Sequence, residues 1–179
     1  TLTITDGSNP PLTFSPTVTG GVWTYTADIS GLVDGNITIT ADVTNQIGNE
    51  ATQATIILVK DAILPTLGID DPLMTDNIVN NTEKSAVVIS GTSNAEDGQI
   101  VTLIITDGST PPISITANPT VTGGVWTYTA NMSLWADDNI TITADVFDLA
   151  GNPKQATKTL IKDIVAPTLA IDDPLMTDN

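Results

Sequence analysis

The sequence predicts an all-β chain of tandem domains, and three observations carry that expectation. Apolar and polar residues alternate with a period of two, as in Val22-Trp23-Thr24-Tyr25-Thr26-Ala27 and where Ile37, Ile39, Ala41 and Val43 alternate with Thr38, Thr40 and Asp42. Clusters of Gly, Pro, Asn and Asp separate these runs, as turns separate strands. The stretch from Lys60 to Asn77 returns almost unchanged from Lys162 to Asn179, 102 residues later, which is the length of one small domain. No amphipathic helix of useful length interrupts the pattern.

The repeat sets the domain boundaries. Residues 1–61 recur as 102–163: Thr5-Asp6-Gly7 matches Thr106-Asp107-Gly108, and Gly20 to Ala27 matches Gly123 to Ala130 after an insertion at Ala117-Asn118. We therefore expect 1–61 to be the C-terminal part of one repeat, 62–163 a complete repeat, and 164–179 a joint with the first strand of the next. The complete repeat gives seven candidate strands, at 66–70, 86–91, 100–106, 113–117, 124–130, 139–147 and 155–162. Threonine is frequent because its branched β-carbon suits a solvated strand face. Seven short strands in about 100 residues read as an immunoglobulin-like β-sandwich, here with no cysteine and so no disulfide. Trp126 and Tyr128 share a strand face beside Ile140, Ile142 and Val146 and are read as core. Trp135 stands where the first repeat has Leu32, and a position that exchanges tryptophan for leucine is read as a core plug.

Composition narrows function. There are 21 acidic residues against 5 lysines and no histidine or arginine, a net charge of −16 that repels phosphate backbones and excludes nucleic acid as an expected partner. Such a surface recruits cations. No apolar run approaches the roughly 20 residues of a membrane span. The chain opens inside a strand pattern and stops inside the repeated joint, so it is expected to be a window from a longer array. Without histidine or cysteine there is no histidine-based triad and no zinc site. Paired carboxylates can hydrolyse glycosides, but here they lie in turns beside Pro, Asn and Gly, so no enzyme is expected.

Calcium suits these turns better, because it takes six to eight hard oxygens from carboxylates, Asn side chains and carbonyls. Strand parity says which loops meet. At the proximal end of the complete repeat, where the chain enters, it gathers Asp61, Glu96, Asp97, Asp148 and Asn152. At the distal end it gathers Asp70, Asp71, Asp76, Asp107, Asp137 and Asp138, close to the next joint at Asp163. Solvated turn carboxylates with no metal are the alternative reading. The first repeat has Asn45 where the second has Asp148, one charge fewer for a cation.

Several segments then converge on a known pattern. They are Ala95-Glu96-Asp97-Gly98-Gln99, the strand Gly123-Gly124-Val125-Trp126-Thr127-Tyr128-Thr129, the strand Asp138-Asn139-Ile140-Thr141-Ile142-Thr143-Ala144-Asp145-Val146, the turn Asp148-Leu149-Ala150-Gly151-Asn152, and the joint from Asp163 to Ala166-Pro167-Thr168. Together they resemble the bacterial Ig-like repeats that serve as extender modules in large RTX and biofilm-associated surface adhesins. The resemblance implies an extracellular protein of the bacterial cell surface, exported by type I secretion, with calcium at the joints and neighbouring repeats of the same chain as partners. The expected function is a spacer that projects a terminal adhesive domain. A repeat that itself binds a ligand or self-associates, and a subunit of a polymeric filament, are the alternatives.

Overall fold

The computed structural model describes residues 1–171, all β-strand, turn and coil with no helix. It divides into two compact units, Thr1–Ile63 and Leu64–Asn179.

The second unit is the more complete. Its strands are β5 (Leu67–Ile69), β6 (Ile78–Val79), β7 (Val87–Ser93), β8 (Val101–Asp107), β9 (Ser114–Ala117), β10 (Val125–Ala130), β11 (Asn139–Phe147) and β12 (Pro153–Lys162). One sheet has the order β10-β7-β5 and the other β6-β12-β11-β8-β9. Every pairing is antiparallel except β6 with β12, which is parallel. Alternate residues of both sheets turn inward, among them Val87 and Ile89 on one side and Leu103, Ile105, Ile140, Ile142, Val146 and Leu160 on the other. The result is an immunoglobulin-like sandwich held by packing. Each fully buried Leu, Ile or Val contributes about 1.5–3 kcal/mol by leaving water. Trp126 and Trp135 are both in this core, the latter beside Met132, whose carbonyl accepts the Trp135 N–H.

The unit has one strand more than the alternation predicts. The first strand ends at Ile69, and the chain then leaves one sheet, runs through Asp70–Asn77, and rejoins the other as β6 beside Ile161 and Lys162. Asn77, at φ 63°, turns the chain there; its side-chain Oδ1 accepts the Leu73 N–H and its carbonyl accepts the Ile161 N–H. Beyond β12, residues 164–171 form no strand, and the remainder of the expected next strand lies outside the described residues.

The first unit is a single sheet, β2-β1-β3-β4, made of β1 (Leu2–Thr5), β2 (Leu12–Phe14), β3 (Gly35–Ala41) and β4 (Ala54–Lys60). It corresponds strand for strand to β9-β8-β11-β12. Leu2, Ile4, Leu32 and Ile37 form its small core. The alternating run Val22 to Ala27, expected as a strand, forms no ladder beyond the isolated bridge of Thr19 with Val22. Its counterpart β10 pairs with β7, and no counterpart of β7 is present among residues 1–63. The Tyr25 ring packs instead on Phe14, with centroids 4.4 Å apart.

Candidate cation-binding ends of the repeat

At the proximal end of the second unit, the turn after β7 and the turn after β11 meet, as strand parity predicts. The Glu96 carboxylate accepts the Leu149 N–H at 2.9 Å, and Asp97 accepts the Gly123 N–H at 2.8 Å. Asp148 is buried and closes its own turn: its two oxygens accept the backbone N–H (2.8 Å) and side-chain amide (2.9 Å) of Asn152. Burial pushes its pKa up, but these hydrogen bonds outweigh that and hold it below the usual carboxylate value. The incoming chain is tied to the same turns, since Asn94 Oδ1 accepts the Thr66 N–H and Ser93 Oγ donates to the Thr66 carbonyl. Asp61 belongs to the first unit, where it caps the Ile63 N–H.

At the distal end, the Asp138 carboxylate lies against Gly108, the chain neighbour of Asp107, so close that a Cβ on Gly108 would stand 2.8 Å from it. Asp107 is buried, and its Oδ1 accepts the hydroxyl of Ser109 (2.7 Å) and the N–H of Ile113 (2.7 Å). The Ser109 hydroxyl holds its pKa down against the opposing effect of burial. Its Oδ2 is buried with no hydrogen-bond partner, and an ionised oxygen in that state is costly unless something positive meets it. Asp138 also accepts the Asn139 N–H, and Asp163 caps the Val165 N–H.

Two acids expected here stand elsewhere. Because β5 ends at Ile69, Asp70 lies beside the middle of β7, with its carboxylate on the Ser90 hydroxyl at 2.5 Å. Asp71 pairs with Lys158, four residues before the end of β12, and also accepts from Asn77. Lys158 followed by Asn77 holds the Asp71 pKa down. Neither joins Asp107 and Asp138. Asp76 caps the Ile78 N–H at the start of β6. Among the described residues, no three carboxylates are grouped closely enough to hold a metal by themselves.

Both units share a clamp that strand alternation does not disclose. Lys162, fully buried, donates to Asp137 Oδ1 at 2.6 Å, while Asp137 Oδ2 accepts the Ile164 N–H at 3.0 Å. In the first unit Lys60 donates to Asp34, whose other oxygen accepts the Ala62 N–H at 3.1 Å. The signal was available: with only 5 lysines in the chain, two occupy the same place before the joint.

No protein-family model matches the chain, and no curated protein does. Solved structures do align with it. One is a tetra-tandem repeat in the extending region of a large adhesion protein, at 25% identity over 90% of this chain and 41% of that one, TM-score 0.49. A second comes from work on host cell surface retention of a 1.5-MDa bacterial ice-binding adhesin, at 22% identity over 92% and 53%, TM-score 0.47. A third is a Ca2+-stabilized adhesin that helps an Antarctic bacterium reach out and bind ice, at 21% identity over 92% and 40%, TM-score 0.42. The chain spans about half or less of the length of each of these solved chains. The solved structures it is similar to come from a large adhesion protein and from ice-binding adhesins of bacteria.

Proposed function

We propose that this chain is a run of structural extender repeats from a bacterial cell-surface adhesin, and that calcium taken up by its turn carboxylates stiffens the array. The observation that carries the extender reading is the duplicated clamp. Lys60, Asp34 and Ala62 in one unit, and Lys162, Asp137 and Ile164 in the other, fix the direction in which the chain leaves. A spacer needs that handover repeated, and it needs no unique pocket. Catalysis has no part in this reading.

The calcium reading is supported by the donor set. Asp107, with its partnerless buried oxygen, and Asp138 would supply charge at the distal end. Glu96, Asp97 and Asp148 would do so at the proximal end. Because no three carboxylates converge among the described residues, the remaining ligands would be carbonyl oxygens, Asn side chains and water, as in many hard-oxygen sites. When bound, calcium would neutralise repelling carboxylates and cross-link loops, and the side chains' task is to hold oxygens in place and stay ionised.

The first unit provides the means to test this without breaking the turn. Asn45, the counterpart of Asp148, keeps the same turn closed, with Oδ1 accepting the N–H groups of Ile47 (3.1 Å) and Asn49 (2.9 Å). Asp148→Asn should therefore preserve the fold and remove one charge. Calorimetric titration of the chain with calcium should then show weaker uptake, in the range of about 10⁻⁴–10⁻³ M typical of extracellular modules. Unchanged stoichiometry and affinity would remove Asp148 from the ligand set. Small-angle scattering of a multi-repeat array should also show a larger maximum dimension in millimolar calcium than in chelator. Superimposable profiles would sink the stiffening mechanism.

A further inference from the structure

The two sheets of the second unit end in the edge strands β5, β6, β9 and β10. A bare sheet edge presents unpaired N–H and C=O groups, and folded chains blunt it with brevity, proline, charge or a covering segment. Three of these edges are blunted. Strand β6 has two residues, and β9 has four, set between Pro112 and Pro119. Strand β5 has three, and where it stops the crossing segment takes over along β7. There the Asp70 N–H donates to the Ser90 carbonyl, and the Val88 N–H donates to Met74 Sδ at 3.2 Å. Strand β10 is different: it has six residues, Val125–Ala130, with no proline and no charge.

The ladder shows which groups of β10 are left over. In an antiparallel pair, residues that exchange hydrogen bonds with the partner strand alternate with residues whose main chain faces away. The Ser93 N–H donates to the Gly124 carbonyl, which sets the phase. Trp126, Tyr128 and Ala130 therefore bond to β7, opposite Gly91, Ile89 and Val87. Val125, Thr127 and Thr129 turn their main chain outward, and Val125 closes on Thr122. Thr127 and Thr129 keep their N–H and C=O groups for a further strand, and no described segment takes them. A groove of about 430 Å³, lined by Asn118, Thr120 and Thr127 among others, leaves room beside this edge.

We propose that β10 is a homotypic docking edge, which pairs antiparallel with β10 of a second copy and joins two three-stranded sheets into one. With the two-fold axis at Tyr128, Thr127 of one copy stands opposite Thr129 of the other. Each such pair exchanges both main-chain bonds, and threonine lies beside threonine on the exposed face. Charge selects the occupant. The chain carries a net charge of −16, so most approaches of two copies set acid against acid. Residues 108–136, which include β9, β10 and the turns around them, hold no charged side chain, so a second copy meets no repulsion there. The sequence Gly123 to Ala130 also stands letter for letter at Gly20 to Ala27, so the same strand sequence recurs in successive repeats. One contact of this size is weak, and arrays lying side by side would add many of them as avidity.

Sedimentation of the full chain in chelator, up to millimolar protein, keeps the test apart from the calcium reading. The expected result is a monomer–dimer equilibrium that tightens as sodium chloride screens the net repulsion. Thr127→Glu with Thr129→Glu sets like charges opposite one another across the pair and should weaken the dimer about tenfold or more. Thr116→Glu with Thr157→Glu adds the same charge at exposed positions of the other sheet and should leave the dimer nearly unchanged. In amide exchange, the Thr127 and Thr129 N–H groups should be open in dilute protein and protected in concentrated protein. Those of Trp126 and Tyr128 should be protected in both. A chain that stays monomeric at high salt overturns the proposal. So does a dimer indifferent to Thr127→Glu with Thr129→Glu, one weakened equally by both double variants, or one in which the Thr127 and Thr129 N–H groups still exchange freely.

Discussion

Trp126→Ala should destabilise the second unit by about 3–5 kcal/mol, the usual cost of emptying a large aromatic site in a packed core. Trp126 is almost fully buried, and the surroundings cannot close on the void. Gly91 faces the ring from β7 and has no side chain to lean in, and the Gly68 carbonyl oxygen and the ring both crowd the position a β-carbon there would take. Collapse is what moderates such losses, so this site belongs in the upper part of the range. Trp126→Phe separates shape from chemistry. The Trp126 indole N–H is buried with no hydrogen-bond partner, so phenylalanine keeps most of the filling and removes an orphan donor. Its cost should be well below that of alanine. Urea or thermal unfolding of the chain checks both, and a Trp126→Ala protein of unaltered stability would show that Trp126 is a surface platform and not core.

That residue also shows what the sequence can and cannot disclose. Strand alternation placed Trp126 and Tyr128 on one face, and the same alternation in Val22 to Ala27 looked equally convincing. Yet only the former forms a strand ladder. Periodicity reports a residue's preference for a half-buried pleated surface, whereas a strand exists only when a neighbour supplies its hydrogen bonds. Strand β6 escaped for the opposite reason. Two residues, Ile78-Val79, have no readable period, and their place is fixed by the chain crossing between sheets after Ile69.

The same crossing limits what could be said of the acids. The Asp138 carboxylate lies against Gly108, next to Asp107, and parity brought the Glu96 turn to the Asp148 turn, because those loops join full-length strands. It misplaced Asp70 and Asp71, because it assumed a first strand that runs the height of the sandwich. The burial of Lys162 was illegible from composition, since an isolated lysine is ordinarily a solvated residue. Only its recurrence at Lys60 hinted that it had a fixed partner.

That buried lysine sets up the second large effect, an asymmetry between the two halves of the clamp. The Lys162 side chain is 0% exposed and that of Asp137 is 27% exposed. Removing the carboxylate, as in Asp137→Ala, strands an ammonium in the sandwich and frees the Ile164 N–H that fixes the departing chain. Breaking a buried pair in this way is destabilising, and the partial exposure of Asp137 moderates the loss without removing it. Removing the lysine, as in Lys162→Met, leaves an apolar chain of similar length in an apolar place and a carboxylate that water can still reach. It should cost less than Asp137→Ala, since the group left without its partner is the one that water reaches. Acid separates the variants further. The Lys162 hydrogen bond, then the Ile164 N–H, hold the Asp137 pKa below its ordinary value of 3.8. A depressed pKa in the folded state means stability that is present above about pH 3.8 and is lost as the pH falls through the lower folded value. The native chain should therefore lose stability on that acid limb faster than Asp137→Ala, and the two unfolding curves should converge. Parallel curves, or a Lys162→Met protein as unstable as Asp137→Ala, would mean that the pair is an incidental contact and does not hold the end of the sandwich.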